Sequence, residues 1–326
     1  MALVIMTSMR DWIASIRSAA ERIRPYVRDT PVELSPALSR EGSETWLKLE
    51  NLQTTGSFKL RGAMNRLILS SPGERAKGIV AASSGNHGMA VAWGVRALGG
   101  RAILFVPETA SPVKLRAIRD LGAEVHAHGD DSGLCEIEAR RYASENGLAY
   151  LSPYNDPDVV AGQGTIGLEL ARQIDGLEAV FVALGGGGLI SGIGLALRGL
   201  GSRARVIACS PSSSAVMHHS IEAGRVVEME SLPTLSDGTA GAVEPGAITL
   251  DLCREVVTDR VLVSEAEIRA AMYLVIERHH TLIEGAAAVA VAACLREREC
   301  FPGRAVVVLC GANIAPDRLR EALRPS

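Results

Sequence analysis

Apolar residues along this chain gather in short runs, each separated from the next by a segment of helical length. Between residues 78 and 151 the runs fall at 79–82, 102–106, 124–127 and 148–151, with helix-length segments at 88–98, 112–121 and 133–146 between them. Each of these segments ends on a glycine (Gly99, Gly122 and Gly147), the residue that most readily closes a helix. Repeated strand–helix order predicts a parallel sheet, because a parallel partner can be reached only by a crossover. A second alternation follows, with a helix at 158–173, a strand at 179–184, a helix from Leu189 and a strand at 205–209. Helices at 265–278 and 284–298 and a strand at 305–309 complete it, and an N-terminal helix near 11–23 and a strand at 45–50 are expected to pack on this second unit. The fold class predicted is α/β, two three-layer α/β/α lobes with mainly parallel sheets and a cleft between them. The smaller, mobile lobe is expected at 56–151 and the larger at 1–55 with 152–326.

Composition narrows the partners. The 326 residues are 47% hydrophobic, enough for two cores, and 34 basic residues nearly balance 37 acidic ones. Without a basic field or a polybasic stretch, neither nucleic acid nor an anionic membrane is an expected partner, which leaves a small molecule. Six cysteines lie far apart with no CxxC pair, as suits reduced thiols in a cytoplasm. Residues 1–9 carry no basic residue ahead of their apolar run, so no export signal is expected, and no appended regulatory domain. The alanine-rich stretch 285–295 is too short for a bilayer and reads as a buried helix.

Four places carry candidate chemistry. Lys59 stands between Phe58 and Leu60 in the run Gly56-Ser57-Phe58-Lys59-Leu60-Arg61-Gly62-Ala63, an apolar setting that can lower its pKa; alone, it reads more readily as a surface lysine on a first helical turn, and the other motifs must raise it above that. Ser83-Ser84-Gly85-Asn86-His87-Gly88 follows the strand at 79–82, at the carboxyl end where open parallel sheets bind ligands, and suits a carboxylate. A simple serine cap would explain one of its residues but not the set. Gly185, Gly186, Gly187 and Gly188 lie between a strand and a helix, so their N–H groups can converge on a phosphate. They match neither a dinucleotide fingerprint nor a P-loop. Cys310-Gly311-Ala312-Asn313 follows the last strand, and its thiol can be a weak neutral partner or a buried small residue. Glu284 can face a cofactor or simply charge a helix start. The seven histidines, including His126, His128 and the pairs His218-His219 and His279-His280, give no convincing ligand set, and no metal site is expected.

Taken together these residues resemble the fold-type II (tryptophan synthase β-like) family of pyridoxal-phosphate enzymes, in its serine/threonine dehydratase (threonine ammonia-lyase) and serine racemase branch. The resemblance spans nearly the whole chain and includes Ala161-Gly162-Gln163-Gly164-Thr165. It implies pyridoxal 5'-phosphate held by Lys59 as an internal aldimine, its phosphate on Gly185 to Gly188, and its 3'-oxygen on Asn86. Phe58 is counted with the cofactor contacts, and Ser83, Ser84, Asn86 and His87 are implied to surround the substrate carboxylate. Cys310 takes the position facing the pyridine nitrogen, usually serine in close relatives, which leaves the ring unprotonated. The implied reaction removes the α-proton with Lys59 and expels the β-hydroxyl, converting L-threonine or L-serine to a 2-oxo acid and ammonia. Ser84 departs from the alanine of many dehydratases and matches the acid/base of racemases, so racemisation, or dehydration of 3-hydroxyaspartate, stays open. The racemases' cation motif is replaced by Ser210-Pro211-Ser212-Ser213-Ser214-Ala215-Val216, without its acids, while Leu235-Ser236-Asp237-Gly238-Thr239-Ala240-Gly241 resembles threonine dehydratases. Residues 216–228 resemble the dehydratase of hydroxyectoine utilisation. The family also implies a homodimer. A member that merely binds an amino acid for regulation is the non-enzymatic alternative, and the intact Lys59 argues against it.

Overall fold

A computed structural model describes residues 9–300 and 303–324. The expectation about residues 1–9 and export lies, but for Met9, outside them. In chain order the elements are α1 (Met9–Ile23), β1 (Val32–Leu34), β2 (Glu44–Lys48), α2 (Lys59–Leu69), α3 (Pro72–Lys77), β3 (Ile79–Ala82), α4 (Asn86–Leu98), β4 (Ala102–Val106), α5 (Pro112–Asp120), β5 (Glu124–Ala127), α6 (Ser132–Glu145) and β6 (Ala149–Tyr150). Then come α7 (Pro157–Gln173), β7 (Leu177–Ala183), α8 (Gly188–Gly199), β8 (Arg205–Pro211), α9 (Val216–Ala223), α10 (Ile248–Val256), β9 (Asp259–Val263), α11 (Glu265–His279), α12 (Gly285–Glu297), β10 (Arg304–Val308) and α13 (Pro316–Ala322).

The strands form two sheets. Four run in the order β5-β4-β3-β6, all parallel, and six in the order β1-β2-β10-β7-β8-β9, parallel except for the β1–β2 edge. In the smaller sheet side chains alternate strictly between faces. Ile79, Ala81, Leu104 and Val106 pack with α2 and α4 residues such as Leu67 and Val91, whereas Val80, Ile103 and Phe105 pack with Cys135, Ala139 and Ala143 of α6. Successive Cβ atoms point to opposite faces, so a strand covered on both faces must be apolar throughout; this is why those runs are unbroken. In the larger sheet α12 packs along β7 to β10 and α8 across β7 and β8. The alanine-rich α12 is buried from Gly285 to Cys294, as its composition predicts. No helix of the described residues is long and apolar enough to cross a membrane.

Three differences from the sequence reading have local causes. The strand expected at 148–151 pairs only at Ala149 and Tyr150. Helix α4 starts at Asn86 rather than residue 88, so half of the polar sextet already belongs to its first turn. Helices α3, α9, α10 and α13 and strands β1 and β9 were not anticipated, because each is too short to set up a clear apolar period.

The topology fixes where a ligand can sit. The chain builds β3, β4 and β5 outward and then returns β6 to the far side of β3; it builds β7, β8 and β9 outward and then returns β10 to the far side of β7. Each reversal leaves a crevice at the carboxyl ends of the strands. The loop after β3 and the turns after β7 and β10 occupy these crevices, and all three line one cavity of about 570 Å³ between the sheets.

Candidate active site

Lys59 opens α2 and is carried by a loop stitched to the turn after β10. Phe58 N–H donates to Cys310 O at 3.0 Å and Ala312 N–H to Gly56 O at 2.9 Å, with Ser57 bridged to Gly311. Gly56 has φ +72°, and a Cβ there would lie 2.7 Å from Asn313 Oδ1, so the close approach requires glycine. The Lys59 amine donates to Pro153 O at 3.0 Å and lies 5.2 Å from the Phe58 ring centre. Protein surrounds the amine although the side chain keeps an opening to the cavity. Burial lowers its pKa to about 8, partly opposed by Cys310, Glu284 and Glu136. About a tenth is therefore an unprotonated nucleophile at pH 7, far more than for an ordinary lysine.

Opposite Lys59, Ser83, Ser84 and Gly85 form the loop and Asn86 and His87 the first turn of α4. Ser83 Oγ accepts from Gly85 N–H at 3.1 Å, and Ser84 faces the cavity. His87 is buried, its Nε2 bonded to Leu151 O at 2.9 Å, and burial beside Lys59 lowers its pKa to about 3. Its imidazole is thus neutral and engaged with the backbone. What it offers a ligand is the amide at a helix start, where the first N–H groups have no intrahelical acceptor.

Gly185 to Gly188 turn from β7 into α8. Gly187 is left-handed at φ 86°, and α8 starts at Gly188. A Cβ on Gly186 would stand 2.4 Å from the Tyr154 ring, and one on Gly185 2.9 Å from Thr239 Cα. Side chains are thereby excluded, and the turn presents bare amides at the start of a twelve-residue helix.

Asn86 belongs to a buried relay that the sequence concealed. Its Nδ2 donates to Glu284 Oε1 at 2.7 Å, and its Oδ1 accepts from Asn313 Nδ2 at 2.7 Å, which also donates to Thr55 O at 2.8 Å. One of the two Nδ2 protons of Asn86 goes to Glu284, which leaves the other to donate to a ligand in the cavity that Asn86 lines. Burial raises Glu284 to about 7, with Asp237 adding to the rise. Burial also pushes the Cys310 thiol well above its ordinary value, so it is neutral. Glu284 had been open between a cofactor contact and a helix charge; it contacts Asn86. Asn313 gave a weaker signal, as the last residue of the Cys310 turn. Tyr154 and residues 238–242 line the cavity, together with Glu136, Arg140 and Glu244, which no motif in the sequence marks.

The site fits a pyridine aldehyde phosphate. It has an amine of lowered pKa, a glycine cradle without side chains, a side-chain amide with an N–H left to donate, and a neutral thiol in one cavity. The comparisons agree. The family model described as "Pyridoxal-phosphate dependent enzyme" matches residues 23–311. The L-threonine ammonia-lyase of Geobacter sulfurreducens is 40% identical over 92% of this chain and 75% of its own. The threonine deaminase isoform 2 of Solanum lycopersicum superposes with a TM-score of 0.90 at 32% identity, covering 96% of this chain and 87% of that one. The serine racemase of Dictyostelium discoideum superposes at 0.84 with 32% identity, covering 93% and 98%. The chain belongs to the pyridoxal-phosphate-dependent enzymes, and pyridoxal phosphate is its cofactor.

Proposed function

We propose that this pyridoxal-phosphate enzyme is an ammonia-lyase that eliminates water from a β-hydroxy amino acid, L-threonine or L-serine foremost, giving a 2-oxo acid and ammonia. The carrying observation is that Lys59, the Ser83–Asn86 region and the glycine turn converge on one cavity. When bound, the cofactor supplies an electron sink that acidifies the α-carbon of the attached amino acid.

The chain's own residues do the rest. Lys59 holds the cofactor and, with its pKa lowered to about 8, accepts the α-proton at Nζ. Pro153 O accepts from that amine and orients it. With the cofactor bound, the amides of Gly185 to Gly188 would hold the phosphate, Phe58 would border the lysine, Asn86 would donate to the ring oxygen, and Cys310 would face the ring nitrogen as a neutral thiol. Ser83, Ser84, Asn86 and His87 receive the substrate carboxylate at the start of α4. The unit of residues 56–151 moves against the remainder to exclude water. Relatives named for threonine support the substrate class.

Ser84 supports a second reading. Its hydroxyl shares the cavity with Lys59, as a racemase with two acid/base groups requires. Assaying 2-oxo acid and ammonia from L- and D-serine, L-threonine and 3-hydroxyaspartate, with chiral analysis of the remaining substrate, separates the two: inverted amino acid without oxo acid would refute the lyase. The protein is further read as a cytoplasmic homodimer. All six cysteines are free, which suits a reducing compartment, and light scattering tests the dimer.

A further inference from the structure

One wall of the cavity carries more charge than the elimination of water from threonine requires. Glu136 and Arg140 come from α6 and Glu244 from the loop before α10, and all three line the cavity with Lys59. Arg140 donates to Glu136 Oε1 from Nε at 3.3 Å and from Nη2 at 2.9 Å, and its Nη2 lies 2.6 Å from Glu244 Oε2. Tyr150 of β6 donates its hydroxyl to Glu136 Oε1 at 3.2 Å, and the guanidinium lies over its ring at 4.2 Å. Asn155 and Ser152 donate to Glu244 at 3.0 and 3.4 Å.

A single guanidinium therefore serves two carboxyl groups. Burial raises the Glu136 pKa and Glu244 beside it adds to the rise, while the bond from Arg140 opposes it, so one guanidinium does not offset burial and the second carboxyl together. Of the other cations lining the cavity, Lys114 is already paired with Asp237 at 2.8 Å, and Lys59 is the amine that holds the cofactor. A cofactor phosphate and a substrate carboxylate bring more negative charge into the same space.

We propose that Glu136 and Glu244, braced by Arg140 and Tyr150, form a specificity site for β-hydroxy amino acids that carry an ammonium or another N–H-rich cationic group beyond the β-carbon. The inference rests on the lyase reading and deepens it. A methyl group, as in threonine, offers no positive charge to balance the second carboxyl group, and sites built for polar partners discriminate strongly against ligands that lack them. A side-chain carboxylate would set a third anion against the same guanidinium.

The test titrates purified holoenzyme with L-2,4-diaminobutanoate, L-2-aminobutanoate and L-aspartate, which lack the β-hydroxyl and cannot lose water. Binding is read from the visible absorbance of the cofactor, and ammonia release from L-threonine is assayed in parallel. Diaminobutanoate should bind at least about tenfold more tightly than aminobutanoate, with aspartate weakest, and Glu136→Gln should shrink that preference by about fivefold or more. Tightest binding of aminobutanoate or aspartate, or an undiminished preference in Glu136→Gln, overturns the specificity site. If L-threonine still releases ammonia in that case, the lyase reading stands without it. Absorbance that responds to none of the three analogues, with no ammonia released, overturns both.

Discussion

Replacing Gly186 by alanine tests whether the glycine turn is the phosphate cradle. The added methyl would lie 2.4 Å from Cγ and Cδ1 of Tyr154 and 2.8 Å from Cδ2. Carbon atoms meet comfortably at about 3.5–4 Å, so turn and ring must part by roughly 1 Å. Tyr154 has little room to yield, since it is buried and its hydroxyl accepts from Glu244 N–H at 2.9 Å. Overpacking of this kind costs about 1–3 kcal/mol. If the unliganded turn relaxes and must be pressed back to receive the phosphate, that cost weakens cofactor binding by about 5- to 150-fold. The assay is equilibrium titration of the apoprotein with pyridoxal phosphate, with the melting midpoint recorded beside it. Gly73→Ala is the control, because a Cβ there comes no nearer than 3.9 Å to Ser71 Oγ. Adding Tyr154→Ala to Gly186→Ala should recover part of the loss, as coupled neighbours do. A Gly186→Ala protein that binds cofactor within about twofold of the parent and melts unchanged would refute the cradle, given that even the smallest overpacking cost predicts more.

Lys59→Ala should abolish both turnover and the visible absorbance of the cofactor-loaded protein; full activity in that variant removes the central assignment. Glu284, raised to about 7 by burial, keeps a proton in the folded chain that the unfolded chain has released above about pH 4.5. Stability of the apoprotein therefore falls as pH rises from about 4.5 to 7, by up to roughly 3 kcal/mol. Glu284→Gln should flatten that slope in melting curves at pH 5 and pH 8, and identical slopes would contradict it. Arg61 is fully buried and bonded to Glu50 at 2.8 Å, so Arg61→Met leaves a buried carboxylate without its partner and should cost about 3–5 kcal/mol in denaturant unfolding. A loss below about 1 kcal/mol would show that the network relaxes. Lys114→Ala removes one pair across the cavity mouth and should raise KM by up to about fivefold at an unchanged melting midpoint, because half-exposed pairs contribute about 1 kcal/mol or less. A drop in melting midpoint instead would make that pair structural.

Local chemistry written in the sequence was readable because it needs no partner. Unbroken apolar runs mark strands covered on both faces, and Gly99, Gly122 and Gly147 all take the positive φ that ends a helix there. Lys59 and Gly185 to Gly188 stood out because amine activation and an amide cradle demand particular residue types in series. What stayed hidden arises only when distant segments meet. Glu284 and Asn86 are 198 positions apart, and Asn155 and Glu244 are 89 apart. A glutamate on a largely polar helix such as α6 looks like any solvated charge until the loop before α10 is laid beside it. The two-residue step at Asn86 was missed for a related reason. Glycine and asparagine at 85 and 86 suit a loop as well as a helix start, and packing of α4 on β3 decides.

The two sheets are joined unequally on the two sides of the cavity, which bears on how the proposed closure would run. Behind it α2 and α7 cross at glycines: a Cβ on Gly162 would stand 2.6 Å from Gly62 Cα, and one on Gly62 2.4 Å from Gln163 Nε2. At the same seam Arg61 reaches Glu169 of α7 at 2.6 Å, and Lys48 of β2 joins that carboxylate at 2.5 Å. Pulling this seam apart would strand buried ions, at several kcal/mol each. Across the mouth the contacts are of another kind. Lys114–Asp237 and Arg140–Glu244 are partly exposed pairs, each weak enough to break and re-form thermally. The low-cost form of the proposed closure would therefore be a swing of the four-stranded unit about the α2–α7 seam, with Lys59 at the hinge end of the 56–151 unit and displaced least. Lys59 lies two residues from Arg61 and is tied through Phe58 to Cys310, so the amine stays registered to the larger sheet while the Ser83–Asn86 region is carried toward it or away. A base fixed to the cofactor-bearing sheet and a carboxylate receptor on the moving one would make proton abstraction wait for substrate to draw the cleft shut.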